Sequence, residues 1–289
     1  MEEDASTSGN TNISPQLLNE WIEIQDSLKK RLTIEDEFDW KLPPMKDQDS
    51  EGIEENQDSS GEILKYVGGV DLSFSRNDSL IACATLVVLD ISTLEVVHED
   101  SSIIKLRIPY VPGFLAFREE NYVFSGNFLC DLISGVILLR YQAFGTSASR
   151  TSKENEEDIT YTVSPGFGLA CHLGVLADLP TIGIGKNLHQ VDGLTQSRVR
   201  RVLEANGNPR SDIFTLIADS GSTLGAAMRT TKGSLKPIFI SVGHRVSLPS
   251  AIKIVKLFGR FRVPDPSGRC IIEKYVGKSI LYNSGLFDL

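Results

Sequence analysis

A chain of 289 residues, 41% hydrophobic, has enough apolar material for one large core or two small ones. Its longest apolar run, Ile133 to Leu139, is far short of the roughly 20 residues a membrane span requires, so no membrane partner is expected. The net charge of −9 argues against nucleic acid only until it is divided: residues 1–62 carry 17 acids and 5 bases, residues 63–289 carry 21 and 24. A mildly basic body follows an acidic leader. Cys83, Cys130, Cys171 and Cys270 show neither CxxC spacing nor histidine neighbours, which excludes a zinc module and points to a reducing compartment.

Residues 1–14 are polar and rich in Ser, Asn and Gly, a disordered leader. From Pro15 to Leu32 the residues Leu17, Leu18, Trp21, Ile22, Ile24, Leu28 and Leu32 fall near helical spacing behind a Ser14 cap, predicting an amphipathic helix over 15–32. Residues 33–62 run acidic and read as a linker. Lys65–Phe74, Ser79–Leu89 and Leu94–Leu106 are β-rich and predict an antiparallel meander, with bends at Asn77-Asp78 and Asp90–Thr93. Pro109 and Pro112 then stiffen a loop around Tyr110 and Val111, and Phe114–Glu119 opens a helix. Further helices are expected over 166–179, 197–206 and 247–258, with strands over 181–185, 213–218, 224–229 and 237–242. The fold class is therefore α/β, a mixed sheet flanked by helices in one domain.

The chemistry gathers at strand ends and helix starts. Asp71 is a single carboxylate in the valine-rich run Tyr66–Phe74, and a buried ionised acid costs several kcal/mol unless it is paired or holds a metal. Capping the turn before Ser73 is the plainer reading of the same letter. With Glu119 on the next helix, Asp71 suits Mg²⁺, which takes one or two carboxylates plus waters and phosphate oxygens. His244 follows a strand in Ser-Val-Gly-His-Arg, either a water-positioning group or a satisfied structural histidine. Lys186, after Ile-Gly-Ile-Gly, either meets a phosphate or is solvated, and Arg118 either holds a phosphate or pairs with a nearby acid. His172 reads as a hydrogen-bonded core residue and Asp219 as either a turn former or a site acid. The stiff loop Pro109–Pro112 is shaped either to wedge into a base stack or to plug the core.

Taken in order, VGGVDLSF, PYVPGFLAFRE, GFGLACHLGVLADLPTIGIGK, DSGSTLG and SVGHR resemble the endonuclease V family, inosine-directed nucleases with a ribonuclease H-like fold. The likeness spans residues 64–121 and 166–266 and marks 63–266 as the nuclease domain of a eukaryotic, plant-like member. It implies that Asp71 and Glu119 hold Mg²⁺ or Mn²⁺, that His244 is an active-site histidine and that Lys186 is a catalytic-site lysine. It implies further that Pro109, Tyr110, Val111 and Pro112 form the wedge, with Gly113 and Leu115 beside the extruded base and Arg118 on the nucleic acid. The implied substrate is single-stranded RNA or DNA containing inosine, cut on the 3′ side of that base. A monomer is expected, cytoplasmic and nuclear or nucleolar.

One departure changes the expectation. Between FRE and GFG the family carries a strand ending in a DGxG-type turn that supplies a second metal-binding aspartate. Residues 122–165 contain no Asp-Gly dipeptide, Asp131 comes too soon after Glu119, and Asp158 lies in an acidic polar patch. The likeness also stops near Pro266, leaving 267–289 as an atypical tail. Both replaced blocks have the look of an alternative transcript or an imperfect gene model, and the expectation is a chain that keeps the fold and nucleic-acid affinity but cleaves poorly or not at all.

Overall fold

The structure, a computed structural model, describes residues 13–44, 61–75, 78, 80–111, 113–119, 135–143, 146–151, 160–188, 192–205, 213–230 and 236–258. The leader before Ile13, the tail after Phe258, Asn77, Pro112, His189, Asp131 and Asp158 lie outside those residues. An eight-stranded mixed sheet forms the centre, in the order β10-β11-β12-β9-β6-β3-β4-β5. Its strands are β3 (Tyr66–Phe74), β4 (Ile81–Asp90), β5 (Val96–Lys105), β6 (Gly135–Ala143), β9 (Thr181–Asn187), β10 (Ile213–Ile217), β11 (Thr223–Met228) and β12 (Ile238–Val242). Two small sheets stand apart, β1 (Trp40–Lys41) with β2 (Glu62–Ile63) and β7 (Thr146–Thr151) with β8 (Thr160–Pro165).

The meander β3-β4-β5 is antiparallel, while β3, β6 and β9 run parallel. Buried on both faces, β3 and β4 read as nearly continuous apolar runs, as interior strands do. Val70 and Leu72 join Leu86, Ala84 and Phe239 on one face. Val67 joins Val87, Leu89, Ile182 and Ile184 on the other. The edge strand β5 carries His98, Glu99 and Asp100, solvated side chains that blunt an open edge. Asp90 turns the chain into β5 by accepting from the amides of Ser92 and Thr93 at 2.8 and 3.2 Å.

Helix α1 (Pro15–Lys29) starts where Ser14 Oγ accepts from Leu17 N at 3.2 Å, and it buries Trp21, Gln25 and Leu28, one stripe at i, i+4 and i+7. It ends at Lys29 rather than Leu32, because the chain leaves to dock Thr33 on the body. Residues 115–119 are helical and belong to α2; α3 is Leu169–Ala177, α4 Gln196–Ala205 and α5 Leu248–Leu257. Ser247 caps α5 as its sequence predicts, with the side chain accepting from Ser250 N at 3.4 Å.

The segment after α1 corrects the linker expectation where it is described. Phe38 and Trp40 stack with centroids 3.6 Å apart and pack on the second core. Asp36 accepts from Ser247 N and Ser250 Oγ, each at 2.6 Å, so a residue from the supposed tether serves the start of α5. Asp36 thus serves a helix start, Glu37 Oε2 lies 3.8 Å from Arg245 Nε, and Phe38 and Trp40 join the core. The replaced block also receives a partial place: β6 lies between β3 and β9, the central parallel position of the sheet.

Candidate active site

Asp71 sits inside β3, 6% exposed, directly opposite Thr85 of β4. Glu119 lies in α2, 5% exposed, and its carboxyl is pushed up to about 8, first by burial and then by the negative charge of Asp71, with Arg118 opposing. Two buried acids close enough to perturb one another therefore share one corner of the fold. Arg118 is buried with them, its guanidinium 5.1 Å from the ring centroid of Phe74 at the end of β3. Burial lowers the Arg118 pKa, while Glu119 and Tyr110 favour its charge. Arg118 thus stands electrostatically between the acid on α2 and the aromatic of the proline loop. Among the described residues no group of three or more His, Cys, Asp or Glu gathers as a metal site.

The loop before α2 presents Tyr110 outward, 49% exposed, while Val111 leans on the cluster of Trp21, Phe114 and Phe117. Phe114 N donates to Val111 O at 3.0 Å, and Gly113 adopts a φ of 84°, closing a four-residue turn whose third position excludes other L residues without strain. Gly113 is buried, and Leu115 packs on the main core. The loop is therefore anchored at its base with an aromatic left at its tip.

Lys186 lies on β9 at the same end of the sheet. Val70 pairs with Leu139 and Leu139 with Gly183, so strand alternation puts Lys186 on the face of Asp71, with backbones roughly 12 Å apart. His244 does not join them, a correction to the expected constellation. Gly183 pairs with Ser241, and β12 runs antiparallel to β9, so the chain leaving β12 heads away from Asp71. Four residues along the strands and three strands across put the two backbones on the order of 15–20 Å apart. There His244 Nδ1 accepts from Thr33 N at 3.2 Å, its Nε2 faces Asp178 Oδ1 at 3.5 Å, and its backbone N–H donates to Thr181 Oγ1 at 2.9 Å. Burial holds its pKa below the usual histidine range against the pull of Asp178. His244 is a neutral joint tying the exit of α1 to the end of α3 and the start of β9.

His172 is buried with its ring edge on Phe117, centroids 4.9 Å apart, and Asp219 is exposed and paired with Arg198 at 2.8 Å. Sequence reasoning missed Thr85 and Cys83. The buried Cys83 thiol is pushed up by burial, with Thr85 lowering it and Asp71 raising it further, so it senses the same carboxylate. Only the β3–β4 register could have found them. It missed Gln25 too, a polar letter on an apolar helix stripe.

A mixed sheet whose central strand holds one buried acid, met by a second from an adjoining helix, gives an α/β fold with the perturbed acid pair of a candidate enzyme site. The sequence profile of the family described as Endonuclease V matches residues 48–127 and 164–270, leaving out most of the replaced block. Human endonuclease V is 42% identical over 236 residues, covering 81% of this chain and 79% of that protein. The catalytic domain of the human enzyme superposes with a TM-score of 0.73 at 34% identity, over 93% of this chain and 99% of that one. Endonuclease V of Ciona intestinalis, solved with a 23mer DNA containing an inosine followed by a ribo-adenosine, gives 0.68 at 27% identity over 93% and 99%. The chain belongs to the endonuclease V family, and its mixed sheet flanked by helices is that of the family's solved structures.

Proposed function

We propose that this protein recognises inosine in single-stranded RNA or DNA and hydrolyses a phosphodiester bond on its 3′ side with Mg²⁺, Mn²⁺ substituting. The burial of Asp71 and Glu119 in one corner of the fold, where the charge of Asp71 helps push up the Glu119 carboxyl, carries the reading. A buried acid pair that resists double ionisation fits a hard, oxygen-seeking divalent cation, which would relieve the repulsion. Asp71 and Glu119 would hold the ion. When bound, it polarises the phosphoryl group and lowers the pKa of the attacking water. Tyr110, exposed on its anchored loop, is suited to fill the space of an extruded base, with Gly113 and Leu115 beside it. Lys186 and Arg118 supply positive charge for the phosphate, and Arg118 also offsets the charge of Glu119.

A second feature limits the rate. The stretch Gly135–Thr151, which contains β6 beside Asp71, includes no Asp or Glu, so the neighbouring parallel strand brings no third acid. Each 1.36 kcal/mol of lost transition-state stabilisation is about tenfold in rate, and a missing ligand acid removes several kcal/mol. We therefore expect inosine-selective binding with cleavage at least about 100-fold slower than that of human endonuclease V run side by side. The test is incubation of the full chain with Mg²⁺ and an end-labelled, inosine-containing single-stranded RNA, scoring product and binding on the same oligonucleotide. Cleavage at the human rate would refute the impairment, and binding that ignores inosine would refute the assignment. Transcript sequencing across codons 119–166 asks whether a sister product carries the aspartate turn. A reducing setting, cytoplasmic and nuclear or nucleolar, fits the buried free thiols of Cys83 and Cys171, and a fluorescent fusion tests it.

A further inference from the structure

The buried face of α1 contains one polar side chain. Gln25, 2% exposed, sits one turn after Trp21, and its Nε2 donates to the carbonyl oxygen of Gly113 at 2.9 Å, 88 positions along the chain. Its own Oε1 is buried with no hydrogen-bond partner among the described residues. An apolar residue here would remove that unmet acceptor but free the Gly113 carbonyl, exchanging one unmet acceptor for another, so hydrogen-bond satisfaction alone does not select a glutamine. The accepted bond lands on the residue between the exposed Tyr110 loop and the helix of Glu119. Phe114 N is already committed to Val111 O, so with Gln25 in place both polar groups of the Gly113–Phe114 peptide are occupied.

We propose that Gln25 is a positioning residue for base discrimination, an inference that rests on the inosine-recognition reading above. By occupying the Gly113 carbonyl it removes a hydrogen-bond acceptor from the neighbourhood of the extruded base. Hypoxanthine and adenine differ at the sixth ring position, where hypoxanthine presents an acceptor oxygen and adenine a donor amine. A freed Gly113 carbonyl would be a buried acceptor in need of a donor, and the adenine amine is one. Gln25 therefore keeps adenosine from being rewarded at a site meant for its deaminated form.

Fluorescence anisotropy with the full chain in Ca²⁺ and two single-stranded RNAs, identical except for one inosine or adenosine, tests this through the ratio of the two Kd values. Gln25→Leu and Gln25→Met both remove the donor, and each is expected to lower the preference for inosine about tenfold, the worth of one hydrogen bond. Trp21→Phe perturbs the same helix while keeping the glutamine, and is expected to leave the ratio unchanged. Thermal melting identifies any variant that fails to fold, and the other glutamine variant then decides. A ratio unchanged in the folded glutamine variants, or lowered equally by Trp21→Phe, overturns the inference while the function stands. A wild-type chain with no preference for inosine overturns both.

Discussion

Trp21 stacks on Phe117 with centroids 4.9 Å apart and planes 11° from parallel, which ties α1 to the helix that carries Glu119. Phe114 meets the same indole at 5.4 Å. Removing the ring opens a cavity under the candidate site. Trp21→Ala is expected to cost about 3–5 kcal/mol, read as a lower urea midpoint, with Trp21→Phe costing much less.

Glu119 is a buried acid held beside another, so its charge opposes folding when nothing compensates it. In metal-free buffer at pH 8, Glu119→Gln is expected to raise the melting midpoint by several degrees, on the order of 2 kcal/mol. Adding Mg²⁺ should stabilise the wild type and leave the variant nearly unmoved. A variant less stable than wild type in chelator would contradict the repulsive pairing.

Tyr110 is half exposed and contributes little to the core, so Tyr110→Ala should melt with the wild type. Stacking on a base is worth about 1–3 kcal/mol, so inosine-RNA binding should weaken by roughly 10- to 100-fold. Equal binding by both proteins would remove the wedge from the recognition scheme.

His244 has its pKa lowered by burial, so the unfolded chain takes up that proton first as the solution is acidified. Its contribution is fully present above the unfolded value of about 6.5 and is lost as pH falls from there through the depressed folded pKa. His244→Gln should be less stable at neutral pH and lose part of the decline between pH 7 and 5, with residual cleavage at neutral pH retained. Abolished cleavage in a folded variant would restore the histidine to the catalytic group.

Local patterns were readable because their causes are local. Ser14, Pro15 and the spacing of Trp21 and Leu28 announce α1, and the valine runs around Asp71 and Leu86 announce β3 and β4. Asp71 stood out because a carboxylate in such a run is costly. His244 misled for the same local reason: a glycine-histidine pair after a strand looks like a presented ring, yet the direction of β12 sends it to the opposite end of the sheet. Phe38, Trp40 and Asp36 were hidden by acidic neighbours, whose composition reads as tether whether or not the segment docks.

Composition, spacing and residue type by themselves determined the class of fold, the central strand, the stiff loop and Asp71 as an acid expensive to bury. Only the tertiary structure decided which of these meet: that Glu119 feels Asp71, that Thr85 faces it, that Gln25 reaches Gly113 and that His244 does not arrive. Strand order and direction are set by packing between segments far apart in the chain, and a hydrogen bond that joins residues 88 positions apart leaves no periodic mark on the letters between them.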